Sequence, residues 1–531
     1  MTTFASKAAP NADKLRGGYY TPDPLAQFVA SWAGEAGGLL LEPSCGDGAI
    51  LKHLVNFGTA VGVELLGSEA QAASAATGTD VANAEFFSWF TRERRGSFDG
   101  VAGNPPYIRF GSWTEEHRAR AFLLMQDEGL KPTRLINAWV PFVVASLLAV
   151  RPGGRVALVV PAELLQVGYA SSLRAYLVDN CTEITIVSFK RLVFPGILQE
   201  VVLFLAVKGV GPAAIRTIEV EDASSLGDLE IQGATVRAPL HAAEKWTKYY
   251  LGPSAIESLR SARLDDRLQP LSEYAAVNVG VVTGRNSFFC LSEQEASSLG
   301  IRRHTVPLLS RSAQMEGLRF TGPDMEELAN GAAKTRLLAV SPEFDLRTDP
   351  ALASYVTAGE QAGVQDGYKC RIRSSWWSVP STAVPQGFML RQVSTMLRLA
   401  VNEVEATSTD TVHRVFTRPG VDMARLAVAA FNSITMAMSE VIGRSYGGGI
   451  LEMEPSECAE IPVPSPDLVP DGLIEKVDEL IRSRRFADAL DAVDQSVLVD
   501  GAGFTTSAIR EFREAGDYMR LRRLGRGRKS G

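Results

Sequence analysis

The stretch from Leu39 to Leu51 constrains the fold of this chain more than any other. An apolar run, Leu39-Leu40-Leu41, leads through Glu42-Pro43-Ser44-Cys45 into Gly46-Asp47-Gly48, and an amphipathic helix is expected to follow. An apolar strand that ends in a Gly-x-Gly turn before a helix is the first strand-turn of a doubly wound α/β domain, which holds ligands at its strand ends. The spacing is shorter than the dinucleotide fingerprint G-x-G-x-x-G, because Ile50 and Leu51 follow directly. Ala60-Val61-Gly62-Val63-Glu64 reads as a second strand, ending in an acid sixteen residues after Gly48. A carboxylate at that tip suits two ribose hydroxyls. A third segment, Ala84-Glu85-Phe86-Phe87-Ser88-Trp89, precedes a strand, Phe98–Gly103, that runs straight into Asn104-Pro105-Pro106-Tyr107. The Asn104 side-chain oxygen and the Pro105 carbonyl can both accept from one exocyclic NH2 group, drawing its nitrogen from planar conjugation toward a tetrahedral lone pair. The prolines fix the backbone so that the acceptors stay aimed, and Tyr107 can lie flat on the ring that bears the amine. Each piece alone has a plain structural reading: a solvated strand end at Glu64, core at Phe86 and Phe87, a rigid Pro-Pro turn. Their order is much harder to obtain by chance.

In that order the motifs resemble those of the gamma-class (Taq-type) DNA adenine-N6 methyltransferases, over roughly residues 16–208. Gly17-Gly18-Tyr19-Tyr20-Thr21-Pro22 is similar to the family's motif X, Leu41–Gly48 to motif I, Val63-Glu64 to motif II, Glu85-Phe86 to motif III, and Asn104–Tyr107 to motif IV. Gly154–Pro161 resembles motif VI and Val193-Phe194-Pro195 motif VIII. The resemblance implies a seven-stranded class I methyltransferase domain with S-adenosylmethionine as cofactor, contacted by Thr21, Glu42, Pro43, Gly46, Gly48, Glu64, Glu85, Phe86 and Asn104. It implies a target adenine flipped out of double-stranded DNA, stacked between Tyr107 and Phe194, with Asn104 and Pro105 accepting from its N6 amine. Glu85 departs from the family's usual Asp, and Asp80 is the alternative for that role. A type II modification enzyme further implies a cognate restriction endonuclease, a monomer and a prokaryotic cytoplasm. Two rivals stay open. One is another amine methyltransferase with the same Asn-Pro-Pro-Tyr chemistry, acting on protein glutamine or on guanine N2 of ribosomal RNA; the other is a non-catalytic DNA-specificity protein.

At 531 residues, with 46% hydrophobic content, two or three domains are expected. The five cysteines (45, 181, 290, 370 and 458) form no C-x-x-C pair, and the five histidines form no H-E-x-x-H or H-x-H spacing. Neither a metal site nor a disulfide framework is expected. Cys45 lies beside the Gly loop but has no neighbouring base to make it a nucleophile. No secretory h-region opens the chain. The most apolar segment, Leu135–Val150, is interrupted by Asn137 and Pro141 and is too short for a bilayer. It reads as a buried crossover helix. The net charge of −7 argues mildly against nucleic acid, although one basic cleft is enough to bind it.

Val201–Val207 is expected to close the sheet, with a boundary at Gly209-Val210-Gly211-Pro212. The expected organisation is a disordered N-terminus over 1–15, a catalytic domain over 16–210, a mixed α+β target-recognition domain over 240–465, and a helical C-terminal segment over 466–531 with a basic tail. Candidate DNA contacts are Arg285 in the Gly-punctuated loop Asn278–Asn286, then Arg302 and Arg303. Lys369, Arg371 and Arg373 are read as alternating along a strand, hence on one face, followed by Trp376-Trp377. The plain alternative there is an exposed strand face with a Trp pair in the core. The tail arginines, among them Arg510, Arg513, Arg520, Arg523 and Arg528, with Lys529, read either as a phosphate-contacting arm or as a solvated terminus. No nuclease is expected, so restriction would need a separate endonuclease.

Overall fold

Parallel pairing around β1 (Leu39–Glu42) organises the first part of the chain: β2 (Thr59–Glu64) lies on one side of it and β4 (Phe98–Gly103) on the other. The computed structural model describes residues 21–526 except 192, 195–199, 212, 232–235, 238–244, 381 and 447. Gly17–Tyr20 of the motif X reading, the 1–15 segment, Pro195, Pro212, Arg528 and Lys529 lie outside the described residues. The described residues divide into two compact units: the first runs to Tyr250 and takes in 446, 448–449 and 525–526, and the second comprises 251–445 and 450–524.

The first unit is one sheet in the order β3-β2-β1-β4-β5-β7-β6-β8-β9. The remaining strands are β3 (Val81–Asn83), β5 (Val150–Pro161), β6 (Cys181–Phe189), β7 (Val201–Lys208), β8 (Ala214–Val220) and β9 (Val236–Arg237). β7 runs antiparallel between β5 and β6. Among the described residues the sheet thus holds the expected seven strands, β3-β2-β1-β4-β5-β7-β6, and two more, β8 and β9, beyond β6, so β7 does not close it. β6 is buried along most of its length and would present an apolar open edge. β8 covers that edge, parallel and in register from Glu183↔Ala214 to Phe189↔Val220. Gly209-Val210-Gly211 is thus a surface connection, with Val210 exposed, and the change of unit falls forty residues later than the expected boundary, at Tyr250.

Helix α1 (Asp23–Gly34) buries Leu25, Ala26, Val29, Ala30 and Ala33, one stripe at helical spacing, into the core shared with β1 and β4. It lies close enough on the sheet that a Cβ at Gly100 would meet the Ala33 carbonyl at 2.4 Å. α2 (Gly67–Thr77) follows β2, and α3 (Phe86–Trp89) is a single turn. α4 (Trp139–Ala149) is buried on nearly every side, as a crossover helix should be. It starts four residues later than Leu135, because Thr133–Ile136 forms a turn closed by the Ile136 N–H on the Thr133 carbonyl at 3.2 Å.

In the second unit a five-stranded sheet joins Ala275–Asn278, Val412–Thr417, Gly387–Leu390, Leu399–Asn402 and Arg319–Phe320, in that order. A separate apolar cluster gathers around Phe288, Phe289, Leu337, Leu338 and Tyr355. The strand read over Lys369–Arg373 is corrected. Tyr368–Arg371 is one helical turn that buries Cys370 and exposes Lys369 and Arg371. Arg373 turns inward, donating to the Val282 and Thr283 carbonyls at 2.8 Å each beneath the Phe289 ring. The chain ends in helices Leu473–Arg482, Phe486–Val493 and Thr506–Arg526. The last is not a free arm. Arg513 pairs with Asp491 and Asp494, Arg520 with Asp517, and the buried Arg523 donates to both oxygens of Glu440 at 2.6 and 3.0 Å. Among the described residues no helix is long and apolar enough to cross a membrane.

Candidate active site

Because β1, β2 and β4 are parallel neighbours, their C-terminal ends share one edge of the sheet, and the three sequence motifs meet there. After β1 the chain turns on two left-handed glycines, Gly46 (φ 53°) and Gly48 (φ 90°). The Cys45 N–H donates to the Val63 carbonyl at 3.0 Å and the Gly48 N–H to the Cys45 carbonyl at 2.8 Å. A Cβ at Gly48 would stand 3.1 Å from Ala73, whereas one at Gly46 would meet open space, so the loop presents backbone to a ligand there. Glu64 is locked at both oxygens. Oε2 accepts from the Gly46 N–H and Oε1 from the Leu66 N–H, each at 2.9 Å. Asn83, at the tip of β3, donates to the Glu64 and Leu65 carbonyls at 3.0 Å each. Sequence reasoning passed over Asn83; its place at a strand end beside an acid-tipped strand was the available signal.

Glu42 is 2% exposed, and one of its oxygens has no hydrogen-bond partner. Burial pushes its carboxyl well above the ordinary carboxylate range, and the nearby Asp47 and Glu64 charges add to that, against a donating Leu51 N–H. Burial first, and then the Glu42 and Glu64 charges, push the Cys45 thiol up as well, which keeps it protonated and unsuited to nucleophilic attack.

From β4 the chain enters Asn104–Tyr107. Asn104 Nδ2 donates to Thr21 Oγ1 at 3.1 Å. The Tyr107 hydroxyl lies 2.9 Å from Asn104 Oδ1 and 3.0 Å from the Val159 carbonyl of β5, sharing one proton between two acceptors. The loop is thereby tied to the N-terminal segment and to the neighbouring strand. A Cβ at Gly103 would be 3.2 Å from Pro43 Cδ, so the Gly loop and the Asn-Pro-Pro-Tyr loop leave each other little room. Phe194 is 3% exposed within the main apolar cluster, against which Tyr107 packs. The two aromatics read as base-stacking partners therefore belong to one cluster.

Glu85 occupies a different position. It caps α3, Oε1 accepting from the Phe87 N–H at 3.1 Å and Oε2 from the Ser88 N–H at 2.8 Å. Phe86 is buried, stacked on Phe142 at 5.1 Å. The alternative, Asp80, precedes β3, which is parallel to β2, and so lies at the opposite edge of the sheet from the site. In the second unit, Arg302 pairs with Glu293, and Arg303 with Asp349 at 2.7 Å. Trp376 donates to Glu360 at 3.2 Å and packs 5.1 Å from Phe288, so it is largely a core residue. Gly284 abuts Lys369, its absent Cβ falling 2.8 Å from that of Lys369, which brings the Arg285 loop beside the Lys369–Arg371 turn.

A sheet with order 3-2-1-4-5-7-6, an antiparallel seventh strand, a Gly loop after β1 and an acid at the tip of β2 is the class I S-adenosylmethionine-dependent methyltransferase fold. Comparison with known proteins agrees. Residues 52–194 match the Eco57I restriction-modification methylase family, and residues 243–498 match the C-terminal domain of the type II methyltransferase M.Eco57I. The type II methyltransferase M.AccI of Acinetobacter calcoaceticus is 21% identical over 83% of each chain. M.XamI of Xanthomonas campestris pv. amaranthicola is 24% identical over 85% of each. M.TthHB8I of Thermus thermophilus is 32% identical over 33% of this chain and 41% of its own. Among solved structures, the type IIL restriction-modification enzyme MmeI in complex with DNA superposes with a TM-score of 0.56, over 94% of this chain and 75% of MmeI, at 13% identity, a likeness of fold. The chain carries Eco57I-type restriction-modification methylase domains over these two stretches. S-adenosylmethionine is the expected cofactor, and the residues fit it: a carboxyl with an unpaired buried oxygen, a glycine loop open on its ligand side, and a fixed second carboxylate at the β2 tip.

Proposed function

We propose that this chain transfers a methyl group from S-adenosylmethionine to the N6 amine of adenine in double-stranded DNA. The observation that carries the reading is the Asn104–Tyr107 loop, pinned by Thr21 and Val159 at the strand end beside the Glu64-anchored Gly loop. The cofactor supplies an electrophilic sulfonium methyl. Glu64 accepts from its ribose hydroxyls, Glu42 from its amino group, and the Gly46–Gly48 backbone and Thr21 line the methionine end. Pro43, Phe86 and Glu85 border the adenosine end, Glu85 through the helix turn it caps. Asn104 Oδ1 and the Pro105 carbonyl accept from the N6 amine of a flipped adenine and hold its lone pair toward the methyl. Tyr107 and Phe194 sandwich the base, which requires Phe194 to leave part of its packed position. No covalent enzyme intermediate is needed; positioning and fixed dipoles supply the rate. The protonated Cys45 supports this against a cysteine-nucleophile route.

Type II methyltransferases among the relatives, and an MmeI structure that contains DNA, support DNA as substrate. The second unit would read the recognition sequence, with the exposed Lys369 and Arg371 and the half-buried Arg285 beside them as the cations offered to phosphate or guanine. Arg302, Arg303, Arg373 and Trp376 are engaged within the protein and would act by holding that surface. The biological role is protection of host DNA from a cognate restriction endonuclease, by a monomer.

The test is transfer from labelled S-adenosylmethionine to unmethylated duplex DNA, with product nucleosides resolved by mass spectrometry. N6-methyladenine at a discrete site is expected. Label on protein or RNA instead would move the assignment to the other amine methyltransferases. Asn104→Ala should bind cofactor normally and lose transfer by about a hundredfold or more, the size of a lost transition-state acceptor. Unchanged transfer in that variant would overturn the mechanism.

A further inference from the structure

The segment that joins helix Glu115–Asp127 to α4 is fastened to the catalytic loop. The Ala138 N–H donates to the Ile108 carbonyl at 2.9 Å, and Arg109 and Asn137 form an antiparallel bridge. Three residues before Ala138 the chain makes the Thr133–Ile136 turn. It is closed by the Ile136 N–H on the Thr133 carbonyl and tightened by the Leu135 N–H on Thr133 Oγ1 at 3.3 Å. Arg134 and Leu135 stand at its apex. Ile136 is buried, yet Leu135 is 77% exposed. Turn apices favour Gly, Asn, Asp or Ser, so neither turn propensity nor core packing accounts for a leucine there. A lone exposed leucine is ordinary on a protein surface; this one follows Arg134 directly, lies four residues after Lys131, and stands two residues before Asn137, which bridges Arg109. Arg109, Lys131 and Arg134 are exposed, and none has a carboxylate partner among the described residues. The acids next along the chain, Asp127 and Glu128, are already paired with Arg95 at 3.9 and 2.8 Å.

An apolar side chain on a hydrogen-bonded turn, with exposed cations beside it in the chain and across the Arg109–Asn137 bridge, and fastened within a few residues of the catalytic loop, has the chemistry of a wedge against a polyanion with a stacked apolar interior. We propose that the Thr133–Ile136 turn engages the duplex at the target position. Leu135 enters the base stack where the flipped adenine has left, and Arg109, Lys131 and Arg134 contact the flanking phosphates. The inference rests on the adenine-flipping reading above and adds to it the group that keeps the duplex open. The reach is adequate, since three residues of chain from Ala138 span at most about 11 Å.

The experiment compares methyl transfer by the full chain to a paired duplex and to the same duplex with an abasic site opposite the target adenine. Leu135→Ala should slow transfer to the paired duplex by about tenfold, the size of a lost stacking contact, and should be restored on the abasic duplex, where opening costs less. Leu135→Met should behave as wild type. The Lys131→Ala and Arg134→Ala pair should flatten the salt dependence of DNA binding. Wild-type rates in Leu135→Ala on both duplexes, or equal losses on both, overturn the wedge and leave the adenine reading standing. Wild-type protein that labels protein or RNA but not DNA overturns both.

Discussion

Glu42 carries a carboxyl that the fold prefers protonated, and this makes it a pH-sensitive point in the cofactor loop. The sign follows from linkage. The unfolded chain ionises near the ordinary value of 4.5, while the folded chain holds its proton to higher pH. The contribution to stability is therefore fully present below that value and is lost as pH rises through the raised folded pKa. Glu42→Gln should remove this slope. In thermal melts without cofactor, the variant should gain on wild type as pH rises from about 5 to 8, while binding S-adenosylmethionine more weakly in calorimetry. Residues at this scale were legible where chemistry and spacing coincide. Glu64, Asn104 and Tyr107 meet at one edge because parallel strands put their tips together. Glu85 was not legible in the same way. An acid one residue before Phe86 and three before Ser88 reads equally as a ligand and as a helix cap, and only the donated N–H groups distinguish them.

The last helix, Thr506–Arg526, shows the same ambiguity one level up. Its arginines read as a tail when counted, but Arg513, Gly516, Arg520 and Arg523 recur at steps of 3, 4 and 3, the spacing of one helix face. That face is in contact with the protein: a Cβ at Gly516 would meet Ala437 at 3.2 Å, and Arg523 is buried against Glu440. Arg523→Met should destabilise the protein by about 3–5 kcal/mol, because it leaves Glu440 charged and unpaired, and adding Glu440→Leu should recover most of the loss. Denaturant midpoints of the single and double variants check this. β8 was missed for a related reason. Gly209-Val210-Gly211 carries the punctuation of a boundary, and nothing local reveals that the apolar edge of β6 still needs a partner. Lys369 to Arg373 failed on period: a buried Cys370 between two exposed cations suits one helical turn as well as a strand.

Over the whole chain, the sequence announces the change of architecture through a change of rhythm, from long Val-rich strands to short segments punctuated by turns. The hand-over falls beyond the glycines of 209–211 because β8 and β9 follow them and still belong to the first sheet. Each unit then builds its own apolar cluster, and the cysteines are shared between them, Cys45 and Cys181 in the first, Cys290, Cys370 and Cys458 in the second. All five are buried, and all five thiols are pushed up by burial, those of Cys181 and Cys290 to about 12. The molecule therefore carries a built-in set of silent clocks. A thiol-reactive dye added to the native protein should find no target until a unit opens, and the mass of each labelled peptide then tells which unit opened first. Saturating S-adenosylmethionine should slow the clocks at Cys45 and Cys181 by the factor that mass action sets.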